Sequence, residues 1–408
     1  MHPNHTSVRT AQKSTLPGTF RYSSFRSIEA AGRDWDAAAP ADNIFLQRPY
    51  LSILESTPPV GMRFVYLVFY KGEEPAGVAL CQIKFFKGDD NIQDLDGSGP
   101  CFFSGVNKWL KRRVAGMVAA EILICGNMLL TGEHGFYFDP HKITVDQGIQ
   151  LLEKALVDVN TQMEREGVKM PFILVKDTNP AQKTISNNLS GKGFVEFQIQ
   201  PNMVLDLPFQ SFDEYIGAMS AKYRTRAKRA FKKAEGIVKK ELTLLEIQRE
   251  LPQIYRLYRD IANNAGFNMV DLNERYLLAL KRDMGDAFHL YAYYLDGNLV
   301  AFYTTIQNGA EMDAHFLGYD KTLNHDLQLY LNILYDIVRL GIDAGCRRII
   351  FARTALEIKS SVGAVAQDLS CFIRNQNSLA NRLTGTVLDY LKPVEEWLPR
   401  HPFKEEKE

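Results

Sequence analysis

The chain has 408 residues, 46% of them hydrophobic and 24% charged. That is the composition of a folded protein long enough for two compact units, and it excludes a disordered or collagen-like chain. Lys and Arg number 48, as do Asp and Glu, so the net charge is zero, which weighs against a dedicated nucleic-acid binder.

Residues 1–20 lack the run of ~7–15 apolar residues that a secretory signal needs, so this end reads as a disordered lead-in. Residues 66–76 read as an aromatic strand, a turn at Gly72 and a second strand. The window 114–130 is apolar but carries Glu121 and Asn127, and it falls short of the ~20 apolar residues of a spanning helix. The expected location is therefore the cytoplasm, either free or peripheral at the inner membrane face. Residues 150–167 are helical by spacing, with Leu151, Leu152, Ala155, Leu156, Val159 and Met163 on one face. Gly167 suits a left-handed C-cap, and an apolar strand follows at 171–175. A second helical piece covers 179–194.

The same order then recurs. Residues 291–301 form a second aromatic hairpin, with Asp296-Gly297 at its turn and Gly297 at an offset of 225 from Gly72. Residues 328–345 begin Gln-Leu, as 150–167 do, and end on Gly345. Leu329, Ile333, Leu334, Ile337 and Val338 share a face of this helix, and a strand follows at 348–352. The offset is now 178, so the first copy holds an insertion, assigned to 87–135. A helical piece at 354–363 closes the second copy. One fold thus occurs twice, with domains expected at 21–205 and 206–400 and a charged tail at 401–408. The class is α/β, each sheet flanked by helices. Between the copies, residues 222–240 carry nine Lys or Arg and one acid, Glu235, around an apolar stripe of Tyr223, Ala227, Ala230, Phe231 and Ala234. Five widely spaced cysteines read as reduced thiols, not as disulfides or a zinc site.

Several stretches resemble the GNAT-type acyltransferase fold in tandem, as in the Fem-type aminoacyltransferases and related acyl-CoA N-acyltransferase-like proteins. Residues 220–234 (SAKYRTRAKRAFKKA) resemble the basic helix that opens the second half of that family. Residues 288–306 resemble its central hairpin, 314–318 (AHFLG) and 319–344 its fourth strand and cofactor helix, and 345–364 its last strand and helix. The resemblance covers roughly residues 40–395. It implies two GNAT-like domains, each with a mixed, mainly antiparallel sheet. One departure stands out: no glycine follows Gly318 before the cofactor helix, where simple acetyltransferases carry a Gly-rich phosphate loop.

Acyl transfer to an amine requires that the amine lose a proton, the carbonyl oxygen be stabilised and the leaving group be protonated. Glu311, Asp313 and His315 alternate, so on a strand they share one face. They are the candidate acid–base residues, with His315 the better-poised base because histidine titrates near neutrality. Three ligands without a fourth make no metal site. A helix beginning near Asn324 offers backbone N–H groups to a phosphate, with Asn324 or Asp326 as its N-cap. His325, Gln328 and Lys359 join Asn324 and Asp326 as the candidate cofactor contacts. Tyr330 is a candidate proton donor to a leaving thiolate. Asn127, Glu133, His134 and Arg353 are candidate substrate contacts, the first three in a Gly-rich cleft-lining segment between the copies.

The expected function is N-acyl transfer from a thioester donor, acyl-CoA or acyl carrier protein, to an amine acceptor of envelope or lipid synthesis. The second copy carries the active cleft, no metal takes part, and the chain is a monomer or homodimer. Two alternatives stay open. One is an aminoacyl-tRNA-dependent transferase extending a peptidoglycan precursor, with 222–240 contacting tRNA or an anionic membrane. The other is a catalytically inactive GNAT-fold binding protein.

Overall fold

The structure, a computed structural model, describes residues 10–12, 20–87, 119–263, 270–391 and 397–404. The chain divides into two compact units. The first takes residues 1–199, 266–273 and 368–395, and the second takes 200–265, 274–367 and 396–408.

The first unit runs β1 (Thr10–Gln12), β2 (Phe20–Phe25), α1 (Ile28–Ala38), α2 (Arg48–Ser56), β3 (Met62–Lys71), β4 (Glu74–Lys87), β5 (Ala119–Cys125) and β6 (Phe136–Phe138). It continues with α3 (Val145–Arg165), β7 (Phe172–Thr178), α4 (Lys183–Gly191) and β8 (Val195–Gln198). The second unit runs β9 (Asn202–Asp206), α5 (Phe212–Ala218), α6 (Ala221–Lys233), β10 (Val238–Glu241), α7 (Leu244–Ala262) and α8 (Tyr276–Met284). Next come β11 (Phe288–Leu295), β12 (Asn298–Asn308), β13 (Glu311–Tyr319), α9 (Lys321–Leu327) and α10 (Leu329–Asp343). The unit closes with β14 (Arg348–Ile350), α11 (Leu356–Ser360) and β15 (Val365–Gln367). The chain then returns to the first unit with β16 (Ser370–Asn375) and α12 (Ser378–Leu391).

The first sheet is ordered β1-β2-β3-β4-β5-β7-β16-β8, with β6 also on β4, and the second β10-β11-β12-β13-β14-β9-β15. Each is antiparallel apart from one parallel pair, β5 with β7 and β13 with β14. Each parallel pair is joined by one long helix, α3 or α10, which supplies the crossover that parallel strands need. The two sheets repeat one topology, and the fold is a tandem of two α/β units.

Local chemistry explains the elements. Asp296 and Gly297 both adopt positive φ, 49° and 80°, the two-residue turn that matches strand twist in the β11–β12 hairpin. Thr144 and Gln147 cap α3 reciprocally, and the helix buries Leu151, Leu152, Ala155, Leu156, Val159 and Met163. Gly167 and Gly345 end α3 and α10 at φ 88° and 66°. Behind them Val168 N–H reaches the Met163 carbonyl and Cys346 N–H the Gly341 carbonyl, both at 2.9 Å.

The domain boundaries differ from the expectation at two strands. Residues 370–375, expected in the second domain, form β16 between β7 and β8 of the first sheet. Conversely, β9, expected in the first domain, lies between β14 and β15 of the second. The strands that would close the two sheets are exchanged. Two ends expected to be free are also tied in. Residues 10–12 of the lead-in pair with β2. At the start of the tail, Ser220 N–H donates to the Pro402 carbonyl at 2.8 Å and Phe403 bridges Met219. Of the inserted segment, 88–118 and Cys101 lie outside the described residues.

Candidate active site

The long strand β13 carries the candidate residues. It pairs with β14 only from Glu311 to Asp313, so beyond Asp313 no strand covers that edge among the described residues. On its other edge β13 follows β12 from Asn308 opposite Glu311 to Ala301 opposite Tyr319, with a shift between Tyr303 and Thr305. There, His315 and Phe316 together face Thr304, which is a β-bulge. Thr304 holds it: its hydroxyl accepts from Phe316 N–H at 2.8 Å and donates to the Phe316 carbonyl at 3.0 Å.

The alternation up to the bulge puts Met312 and Ala314 on the α10 side of the sheet, in the main core of this unit. Glu311, Asp313 and His315 therefore share the opposite side, where α7 and α8 pack. Packing there is close. A Cβ at Gly318 would lie 2.6 Å from the Leu257 backbone carbon and 2.7 Å from the Tyr258 nitrogen. Tyr258 and Tyr276 both meet the Phe316 ring edge-on.

The three candidate residues are in different states. Glu311 is held in an ion pair with Arg348 and lies 3.5 Å from Arg347, so a guanidinium already occupies it. Asp313 is buried, and its Oδ2 has no hydrogen-bond partner. Burial, and then the negative charge of Glu311, hold its carboxyl well above the usual range. His315 Nε2 lies 3.1 Å from the Tyr276 hydroxyl, while Nδ1 is shut off from solvent without a partner. Burial pushes the imidazole down to about 3. The expectation that His315 is poised near neutrality is corrected: at neutral pH it is uncharged and weakly basic. The group that burial raises is the Asp313 carboxyl.

The other candidates separate from this trio. Tyr330 stacks on Tyr319 with centroids 5.7 Å apart, on the α10 side of the sheet and so on the opposite face from His315. Burial raises its hydroxyl above the ordinary range. Neither Asn324 nor Asp326 is the N-cap expected there. Asp320 caps α9 by accepting from Thr322 N–H at 2.8 Å. Asn324 instead spends its carbonyl oxygen on Tyr330 N–H at 3.0 Å, which fills one first-turn donor of α10. Gln328 stands left-handed at φ 52° between the helices, and its amide donates to the His325 carbonyl. The exposed His325 ring pairs with Asp326.

Lys359 is not a free cation for a cofactor. It is buried and donates to the carbonyls of Phe351, Ala352 and Arg353 at 2.6, 3.3 and 2.9 Å. Those residues follow β14 directly, where Ala352, Thr354 and Ala355 all hold positive φ, at 57°, 79° and 47°. One ammonium thus pins a strained loop. Arg353 donates from Nε to the Gln200 carbonyl at 2.9 Å.

Asn127, Glu133 and His134 lie in the first unit, in an excursion from Gly126 to Gly135 that separates β5 from β6. It leaves where Gly126 N–H meets the Leu80 carbonyl and returns where Leu80 N–H meets that of Gly135. Leu80 therefore occupies the register position of Thr304, and Ile124, opposite Gln82, that of Asp313. Buried polar groups hold the excursion down. Lys176 donates to the Leu130 carbonyl at 2.7 Å and pairs with Asp177, which accepts from Gly132 N–H. Asn127 donates to the Tyr50 hydroxyl, Glu133 accepts from Asn179 N–H, and His134 faces Asn43 at 3.2 Å. Burial, with Lys176 next, drives His134 down to about 4. These residues fasten a loop onto its own unit.

Sequence reasoning missed Tyr276, Thr304 and Arg400; it named the basic run 222–240 but not that three of its residues line a pocket in the second unit. That pocket, of about 410 Å³, is lined by Lys222, Tyr223, Arg226, Glu357, Ile358 and Arg400. A polar pair, Thr304-Thr305, inside an apolar strand was a usable signal for the bulge; nothing local marked Tyr276 or Arg400.

Among the described residues no cluster of His, Cys, Asp and Glu could hold a metal, and no helix is long and apolar enough to cross a membrane. Cys81, Cys125, Cys346 and Cys371 are buried thiols outside any disulfide.

Residues 221–360 match the family model of the acetyltransferase (GNAT) domain, over about a third of the chain. The search of curated proteins finds no match. Among solved structures the chain is similar to FemX, at 12% identity over 82% of this chain and 97% of that one, with a TM-score of 0.49. It is also similar to L-PGS from Bacillus licheniformis (12%, 83% and 95%, TM-score 0.45). A tandem GNAT protein from the clavulanic acid biosynthesis pathway is a third (10%, 81% and 88%, TM-score 0.45).

Proposed function

We propose that this chain, whose residues 221–360 are a GNAT-type acyltransferase domain, moves an acyl group from a thioester donor to an amine acceptor on the β13 edge of its second unit. The observation that carries the reading is the contrast between the two copies of one strand. In the second unit β13 continues past its parallel partner as an edge unpaired among the described residues, with buried Asp313 and half-buried His315 beside it. In the first unit the same register holds Ile124 and a fastened excursion.

An unpaired strand edge offers backbone N–H and C=O groups to an extended ligand, as an added strand would use them. Acyl-CoA and acyl carrier protein share an amide-bearing arm suited to that edge. The strained loop after β14, held by Lys359, continues from the parallel partner strand beside it. In the scheme, the ionised form of Asp313, whose basicity burial has raised, accepts the amine proton as nitrogen attacks the thioester carbonyl, and edge N–H groups stabilise the oxyanion. The C–S bond then breaks, and the leaving thiolate takes that proton from Asp313, which returns to its carboxylate. His315, neutral and bonded to Tyr276, orients the acceptor next to Asp313. Tyr330, on the opposite face, has no step in this scheme.

The test is transfer from acetyl- and long-chain acyl-CoA and acyl carrier protein to a panel of amines, in wild type and Asp313→Asn. Loss of a positioned base should lower turnover by about 10²–10⁴-fold. Asparagine keeps the shape of the uncharged acid, so folding should be retained. Full activity in the variant would sink the assignment, and no activity with any thioester would favour an inactive binding protein.

The exposed cations Lys222, Arg226, Lys228, Arg229 and Lys232 along α6 favour a second reading, an aminoacyl-tRNA donor. Activity that falls steeply with salt and vanishes on RNase treatment would select it. An acceptor in envelope or lipid synthesis, met at the inner membrane face, fits either donor.

A further inference from the structure

The basic pocket of the second unit takes no lining residue from β13 and is built from three segments. Lys222, Tyr223 and Arg226 come from the first turns of α6, Glu357 and Ile358 from α11, and Arg400 from the C-terminal segment. The segments are fastened together. Arg400 N–H donates to the Ser360 hydroxyl at 3.0 Å, and its guanidinium binds Glu357. Ser220 N–H donates to the Pro402 carbonyl, and Lys404 N–H to that of Ala218. The cavity thus keeps its shape without a ligand.

Its charges do not balance. Glu357 neutralises Arg400, but among the described residues neither Lys222 nor Arg226 meets a carboxylate. Lys222 lies only over the Tyr223 ring, at 5.8 Å from its centre. Three cations less one carboxylate leave two positive charges around one cavity. A carboxylate ligand would cancel one; a phosphate monoester dianion cancels both. Arginine forks also match phosphate oxygens two at a time.

We infer that this pocket binds a phosphate group, carried by one of the two substrates. Lys222 and Arg226 contact it first, and Arg400 turns from Glu357 to join them. Its assignment to a substrate rests on the acyl-transfer reading, whereas phosphate binding itself does not.

Titration calorimetry of the full chain with inorganic phosphate tests the site. Wild type should bind saturably, and the double variant Lys222→Ala/Arg226→Ala should bind at least about 10-fold more weakly, the value of one or two charge-assisted hydrogen bonds. Both side chains are exposed, so the variant's melting temperature without ligand should match wild type. Glu357→Gln, which removes the competing carboxylate, should bind several-fold more tightly. Absence of saturable binding in wild type, or equal affinity in the double variant, would overturn the proposal.

Coenzyme A and its form lacking the 3′-phosphate then separate the sources. If wild type prefers coenzyme A and the double variant does not, the phosphate belongs to the donor. If neither form binds the double variant more weakly than wild type while inorganic phosphate still does, it belongs to the acceptor. Binding is read without turnover, so failure of the acyl-transfer reading and failure of this site are told apart.

Discussion

Asp313 and Lys359 are both buried ionisable groups, and the fold treats them in opposite ways. Asp313 is left without a partner for Oδ2, and burial favours its neutral form. A carboxyl raised in the folded state contributes its stability below its unfolded value near 3.8 and loses it as pH rises. Asp313→Asn removes that loss. The variant should therefore melt above wild type at about pH 8, with the gap closing toward about pH 4. A constant gap across that range would mean that Asp313 is not the titrating group. Lys359, by contrast, has an acceptor for each N–H. Burial pushes it down to about 7 from 10.5 while the carbonyls hold its proton on. A lysine lowered in the folded state loses stability as pH falls from 10.5 toward about 7 and is level below that. Lys359→Met should flatten that slope. It should also destabilise the second unit by about 1–3 kcal/mol, because buried carbonyls lose their donor. Urea unfolding at two pH values reads both effects, and a variant as stable as wild type would deny Lys359 its part in holding the loop.

At the scale of elements, β13 separates what is written locally from what is not. The alternation of Glu311, Asp313 and His315 lies within one strand, so the residues alone name a shared face. The bulge one step later depends on the Thr304 hydroxyl of the neighbouring strand, and no period within β13 encodes it. The states of the three residues are equally nonlocal. Arg348 fixes Glu311, and Tyr276, from a helix earlier in the chain, meets His315. The faces of α3 and α10 were legible because a 3.6-residue period is written within each helix. Gly318, by contrast, reads in sequence only as the last glycine ahead of the cofactor helix, yet its use is packing. It lets the α7 backbone rest on β13. Gly318→Ala should push the two apart and cost about 1–3 kcal/mol, the usual range for overpacking a dense core. Because His315 and Phe316 sit in the same contact, turnover should fall with stability. A variant that keeps its urea midpoint would show that α7 can shift freely there.

At the scale of the whole molecule, the exchange of β9 and β16 makes neither unit a continuous stretch of chain. Short apolar strands carry little information about which sheet edge they join, and both β9 and β16 are short strands that follow a short strand. Reading the chain in order therefore gives each to the wrong unit. The consequence is specific. Ending the chain after Gln367 removes β16, which pairs with β7 from Phe172 to Thr178 and with β8 from Val195 to Gln198. Both strands of the first unit would be left with open backbone on the shared edges. Buried Phe372 would leave the first core, and Asp177 would lose the Cys371 thiol at 3.7 Å. A deletion at the C-terminus should thus unfold part of the N-terminal unit. Hydrogen exchange on the truncated chain should show protection lost along β7 and β8 and kept along β3 and β4, which pair only with strands before residue 200. Supplying residues 368–395 as a separate peptide should restore the protection. If β7 and β8 stay protected without it, the exchanged strand is dispensable and each unit can close its sheet from its own continuous chain.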